Sequence, residues 1–277
     1  MSEPEWRRLN RASWDERVSI HLHTVHHYDQ SALRAGIGQI DPIALAVLGP
    51  VSGQKILHLQ CHFGMDSLVL AQHGATVVGI DFSAPAIAAA RGLAMDLGLS
   101  DRARFIEADV YETPSALLEP ASFDRVFVSW GALCWLPDMR AWARVVAHFL
   151  KPGGWLALAE AHPAAYVFDD AAGGIDHMPG WYAPYLARAP LLIDQPIDYA
   201  DPDARLNNSR TTEWLHPLAD VVTGLLEAGL RLEMLQEHDS VVWQMFGCLV
   251  GDDRTGYRWP DKPWLPLAYS LRASKPA

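Results

Sequence analysis

The sequence predicts an α/β fold with a mostly parallel sheet, and three observations predict it. Short apolar runs, such as Ile56, Leu57 and Leu59, alternate with stretches of helical periodicity. That alternation is expected of a sheet covered on both faces. A tight turn, Gln60-Cys61-His62-Phe63-Gly64, follows the first run and leads through a helical stretch to a second run ending in Asp81. The chain closes on helix, strand, loop, strand, the pattern of a terminal antiparallel hairpin.

Taken in order, residues 1–50 read as a helical cover, because Trp6, Leu9, Trp14 and Val18 recur at helical spacing. The segment 21–29 then carries four histidines in seven residues, His21, His23, His26 and His27. His23 and His27 would share one face of a continued helix, but no carboxylate motif beside them completes a metal site, so no metal is expected. Asp41, Pro42 and Gly49 read as cap, first turn and stop of a short helix. Gly64 turns the backbone without a Cβ clash. Leu68, Val69 and Ala71 face the sheet, and Gly74 ends that helix. Residues 76–80 form the second strand, with Asp81 at its carboxyl end, where open α/β sheets bind ligands. An acid there suits two ribose hydroxyls. A dinucleotide fingerprint needs three glycines for the backbone to approach a pyrophosphate. Only Gly64 is present, and Gln60 and His62 would crowd a pyrophosphate; an adenosyl sulfonium has none.

Ser83 and Pro85 start the next helix. Residues 104–107 form the third strand, leading to Asp109. The fourth strand, 123–129, exits into Trp130 and Trp135, a flat apolar wall that also favours a sulfonium cation. Asp138 caps a helix. A Lys151-Pro152-Gly153-Gly154 turn precedes the strand 155–159, which exits at Glu160 and His162. From 164 to about 208 the periodicity breaks into aromatics between glycines and prolines, as in a substrate-binding element or a dimer contact. His216-Pro217 opens a helix that Gly229 ends; 230–238 and 265–273 are the last strands.

The stretch KILHLQCHFGMDSLVLAQHGATVVGIDFS, residues 55–83, resembles the first motif of class I S-adenosylmethionine-dependent methyltransferases, and its LHLQCHFG form is similar to a bacterial small-molecule subgroup. His58 stands at the usual acid, and Gln60 and His62 at two of the usual glycines. The resemblance runs from about Val51 to Ser274. It implies a Rossmann-like seven-stranded sheet with a terminal antiparallel hairpin, in one domain: a helical N-terminal cover (1–50), a cofactor-binding core (51–162), a lid inserted after the fifth strand (163–210) and the rest of the sheet (211–277). It implies S-adenosyl-L-methionine as cofactor, with Tyr28, Gln60, His62, Gly64, Asp81, Phe82, Asp109, Val110 and Ser129 around it and Asp109 accepting from the adenine amino group. The implied reaction is methyl transfer to O, N or S of a small metabolite. His162 is the expected base, oriented by Glu160, and His26, Trp130, Trp135, Trp181 and Tyr182 the expected substrate wall. A non-catalytic cofactor-binding or scaffold protein is the alternative, and a nicotinamide-dependent oxidoreductase a weaker one.

Composition narrows the partners. A net charge of -11 over 277 residues opposes a nucleic-acid binder, which needs a basic face. Three scattered cysteines make neither a disulfide framework nor a zinc pattern. No apolar run reaches membrane-spanning length and the first residues lack the core of a signal peptide, so the expected location is the cytoplasm. The expected partner is a small-molecule acceptor, with a homodimer as the other use of the aromatic insertion.

Overall fold

The computed structural model describes residues 3–24, 27–172, 178–253 and 255–277; His26 lies outside them. Seven strands make the main sheet: β1 (Lys55–Leu59), β2 (Thr76–Asp81), β3 (Ala103–Glu107), β4 (Phe123–Ser129), β5 (Leu150–Ala161), β6 (Arg231–His238) and β7 (Ala268–Ser274). Their spatial order is β6-β7-β5-β4-β1-β2-β3. Strands β1 to β5 are parallel, and β7 runs antiparallel between β5 and β6. The strand order reverses at β1, which pairs with both β2 and β4, so the crevice above their carboxyl ends is where ligands bind such sheets.

Strand periodicity divides the core in two. Leu57, Val126, Leu156 and Leu158 face one layer, with Trp142 and Phe149 of the helix Met139–Phe149. Ile56, Phe127, Ala157 and Ala159 face the other, with Leu68 and Ile87 of the helices Met65–Gln72 and Ala84–Asp96. Alternate residues point to opposite faces, and because both faces are covered the strands read as continuous apolar runs. The caps behave as their sequences predict: Asp41, Ser83 and Asp138 each accept from the backbone N–H three residues on.

Helix α1 (Glu5–His21) lies across the carboxyl ends of the sheet. Arg7 reaches Asp109 beyond β3, Asp15 reaches Ser83 beyond β2, and His21 reaches His62 beyond β1. The helix ends at His21, so His23 and His27 do not share a helix face as their spacing predicts. Thr24 donates to the Ala200 carbonyl instead, and Thr and Val are weak helix formers.

The insertion after β5 is folded. Phe168–Asp169 pairs with Gly180–Trp181, and Leu191–Asp194 with Arg210–Glu213. Its second half grips α1. Asn10 exchanges two hydrogen bonds with the Thr212 backbone at 2.8 and 2.7 Å, acting as a strand partner. Glu16 accepts from the backbone and side chains of Asn207 and Asn208. The loop between β6 and β7 forms a small sheet of Ser240–Val241, Gly256–Arg258 and Val250–Asp252, where the sequence suggested only an irregular loop.

Candidate active site

The turn after β1 keeps the backbone of a glycine turn without the glycines. Gln60, His62 and Gly64 have φ of 57°, 51° and 79°. For the two non-glycine residues this left-handed conformation costs roughly 1–2 kcal/mol each. Four contacts hold it. Cys61 N–H donates to the Ile80 carbonyl at 2.9 Å, and His62 N–H to Asp81 Oδ2 at 2.8 Å. Gln60 Nε2 donates to the Ala132 carbonyl at 2.7 Å, and the His62 ring meets His21 at 2.9 Å. Gly64 is required, since a Cβ there would lie 2.6 Å from the Phe105 ring. His58 is buried against Ser67, 2.8 Å away, and burial pushes its pKa down to about 3, so it is a neutral core imidazole.

Two acids stand at the ends of neighbouring strands. Asp81 accepts from the backbone N–H groups of His62 and Ser83, and burial raises its pKa to about 6 against their pull. Asp109 accepts from Tyr111 N–H at 2.8 Å, and Arg7 Nε lies 3.1 Å from its other oxygen. Burial raises Asp109, while Tyr111 and Arg7 lower it. Phe82 and Val110 follow these acids in the same two loops. Ser129, at the end of β4, donates to Asp66 at 3.3 Å; burial first, then the Asp41 charge, raises Asp66 to about 6.

The structure does not bring the expected catalytic pair, His162 and Glu160, together. The Glu160 carboxylate is consumed by four backbone N–H groups, of Gly131, Ala132, Leu133 and Ala161, at 2.5–3.1 Å. It anchors the β4 exit, where Trp130 and Gly131 adopt φ of 45° and 71°. His162 Nδ1 accepts from Ala164 N–H, and Nε2 lies 3.0 Å from Glu237 on β6, off the line of a hydrogen bond. Burial lowers its pKa, with Glu237 opposing. The expected aromatic wall also divides. Trp135 meets Trp14 of α1 edge-on at 5.3 Å. Trp130 turns away, donating to Asp41 and packing on Trp243. Trp181 is 80% exposed and Tyr182 49% exposed, and Trp181 packs on Phe168 within the insertion. Tyr28 does face it, stacking on His21 with centroids 4.4 Å apart and hydrogen-bonded to Tyr199.

Sequence reasoning missed a buried polar cluster beneath α1. Arg17 Nη1 donates to Asp198 Oδ2 at 2.7 Å, and His21 Nε2 lies 3.2 Å from Asp198 Oδ1. Asn10, Trp14, Arg17 and His21 are spaced by four, three and four, so one buried helix face carries polar groups. That signal was in the sequence; Asp198, 177 positions from His21, had none.

Residues 56–154 match the family model of a methyltransferase domain. The sheet order and the strand-end acids agree with that match. The stretch from β1 into β5 is therefore similar to a methyltransferase domain. The ubiquinone biosynthesis O-methyltransferase of Paracidovorax citrulli is 31% identical to this chain over 147 residues, 51% of this chain and 59% of that protein. A demethylmenaquinone methyltransferase of Clavibacter sepedonicus is 33% identical over 136 residues, 48% of this chain and 53% of the relative. The chain thus spans little more than half the length of these curated relatives. An S-adenosylmethionine-dependent methyltransferase structure from Mesorhizobium loti superposes with a TM-score of 0.58 at 22% identity, covering 84% of this chain and 96% of the other. At that identity the likeness concerns the fold. Among the described residues no three His, Cys, Asp or Glu side chains are grouped to hold a metal ion, and the three cysteines are free thiols.

Proposed function

We propose that the chain transfers a methyl group from S-adenosyl-L-methionine to an O, N or S atom of a small-molecule metabolite. The observation that carries this is the left-handed turn at residues 60–64 with Asp81 and Asp109 at the next two strand ends. These residues fit an adenosyl group. Each carboxylate oxygen of Asp81 has a second lone pair for a ribose hydroxyl beside the backbone N–H it already accepts. Asp109 takes the adenine amino group by giving up Arg7, an exchange of one donor for another. Gly64 and the backbone of the turn supply close approach, and Gln60, His62, Phe82, Val110, Ser129 and Tyr28 border the same crevice.

When bound, the cofactor supplies an electrophilic methyl group. The chain's part is to hold the acceptor in line and exclude water, and positioning of that kind contributes roughly 7–11 kcal/mol. Helix α1 provides the cover, held by the second half of the insertion. Trp14 and Trp135 give the acceptor an aromatic surface, which favours a small, partly aromatic or cyclic acceptor. The net charge of -11 supports a partner other than nucleic acid. No helix among the described residues is long and apolar enough to cross a membrane, and a cytoplasmic location is part of this proposal.

Calorimetry tests the reading. S-adenosylhomocysteine should bind and raise the melting temperature, and NAD and NADP should not. Binding of a dinucleotide with none of the homocysteine compound would overturn it.

A further inference from the structure

We propose that Asp198, His21 and His62 form a carboxylate–imidazole–imidazole relay, with His62 Nδ1 as the base for the methyl acceptor and His21 and Asp198 as positioning residues. The proposal rests on the methyl-transfer reading above.

The relay follows from which atoms meet. Arg17 pairs with Asp198 at 2.7 Å inside the protein, where both are almost fully buried. Burial works to raise the Asp198 pKa, but His21, the Ala200 N–H and Arg17 outweigh it and keep the carboxylate ionised. An ionised carboxylate only accepts hydrogen bonds. His21 Nε2, at 3.2 and 3.3 Å from its two oxygens, must therefore carry a proton. A neutral His21 then has a bare Nδ1, and that atom lies 2.9 Å from His62 Nε2. His62 Nε2 must be the protonated nitrogen in turn, which leaves the free lone pair on His62 Nδ1. The buried acid thus fixes the tautomers of two imidazoles in series. Among the described residues, His62 Nδ1 has no hydrogen-bond partner.

The surroundings keep this base neutral until it is needed. Trp14 edges onto both rings, and Tyr28 and Phe63 pack on His62. The titratable groups facing the relay are Arg17 from α1, His27 and Tyr28 from the following turn, Asp198 and Tyr199 from the insertion, and Asp81 beneath the His62 backbone. Burial lowers the His62 pKa well below its ordinary value.

A docking contact between α1 and the turn would need none of this. It would be met by one hydrogen bond, without burying Arg17, Asp198 and His21, and by a glycine at the left-handed position 62. The chain instead carries an imidazole where glycine costs least. In the step proposed, His62 Nδ1 takes the proton from the acceptor's O–H, N–H or S–H. The freed electron pair forms the bond to the methyl carbon of the adenosyl sulfonium. The bond from that carbon to sulfur breaks, leaving its pair on sulfur. The charge gained by His62 spreads through His21 to Asp198.

The test begins on the unliganded protein with histidine-labelled nitrogen NMR. His21 and His62 should both hold their protons on Nε2 at neutral pH, with slowly exchanging ring protons. Asp198→Asn should release the His62 tautomer preference. The opposite tautomer in the wild type, or no response to Asp198→Asn, would overturn the relay. His62→Asn is the kinetic variant, since asparagine tolerates the left-handed backbone. It should lower kcat about 100-fold or more. In the wild type the acid limb of kcat should lie well below the pH of an ordinary imidazole, and Asp198→Asn should move that limb. If S-adenosylhomocysteine binds and methyl transfer proceeds, but His62→Asn keeps kcat within about twofold, the relay fails and the methyl-transfer reading stands. If the compound does not bind the wild type at all, that reading falls and takes the base role with it.

Discussion

Replacing Glu213 with glutamine should make the stability of the protein less dependent on pH, and the structure fixes the sign and size. Glu213 ends the strand of the insertion that packs against α1. Its carboxylate has one hydrogen bond among the described residues, a long one, accepted from the Thr211 hydroxyl at 3.4 Å. Burial raises its pKa from 4.5 to about 7, with small opposing pulls from Thr211 and Arg17. A group whose pKa is raised on folding costs nothing where it is protonated in both states. It destabilises the folded state progressively as pH rises through the folded value. At about 1.4 kcal/mol per pKa unit, the cost reaches about 3 kcal/mol by pH 8. Glutamine never ionises, so its folded state escapes that cost. The amide has its own donors to satisfy, which adds a pH-independent offset. The readout is therefore the change in the difference: chemical denaturation at pH 4.5 and pH 8 should show the variant gaining about 3 kcal/mol relative to wild type over that interval. A difference that is flat with pH would show that Glu213 titrates normally. A difference that shrinks toward pH 8 would mean Glu213 is paired with a cation, and the burial argument would be refuted.

Three further outcomes are expected. Asp81→Ala should weaken S-adenosylhomocysteine binding at least tenfold by calorimetry, since each hydrogen bond to a charged acceptor is worth about 1.5–3 kcal/mol; unchanged affinity in a folded variant would remove Asp81 from the ribose. Arg7→Ala should tighten the same binding, because Arg7 competes for Asp109; weaker binding would mean that Arg7 itself holds the ligand. Gln60→Gly should be about 1 kcal/mol more stable than Gln60→Ala in denaturant melts, since both lose the contact to Ala132 and only glycine is relieved of the left-handed strain; the reverse order would show that the turn relaxes when its side chain is cut.

Sequence alone determined the sheet. Strand β4 (Phe123–Ser129), the caps at Asp41, Ser83 and Asp138, and the stop at Gly74 are visible because they rest on periodicity and on bonds within three or four residues. The order of these units, with an acid after β2 and another after β3, favours an adenosyl site over a dinucleotide one. Only the tertiary structure decided the use of the crevice. Glu160 looked like a free strand-end acid, yet its oxygens serve the N–H groups of a loop about thirty residues earlier. Trp181 and Tyr182 read as pocket walls, yet Trp181 pairs with Phe168 within the insertion and both side chains are exposed. His21 looked like one member of a histidine run, yet it is the middle of a relay whose ends come from residues 62 and 198. The physical reason is the same in each case. A hydrogen-bonding side chain declares its type in the sequence but not its partner. When the partner lies tens or hundreds of residues away, only the packing of α1 and the insertion onto the sheet brings the two together.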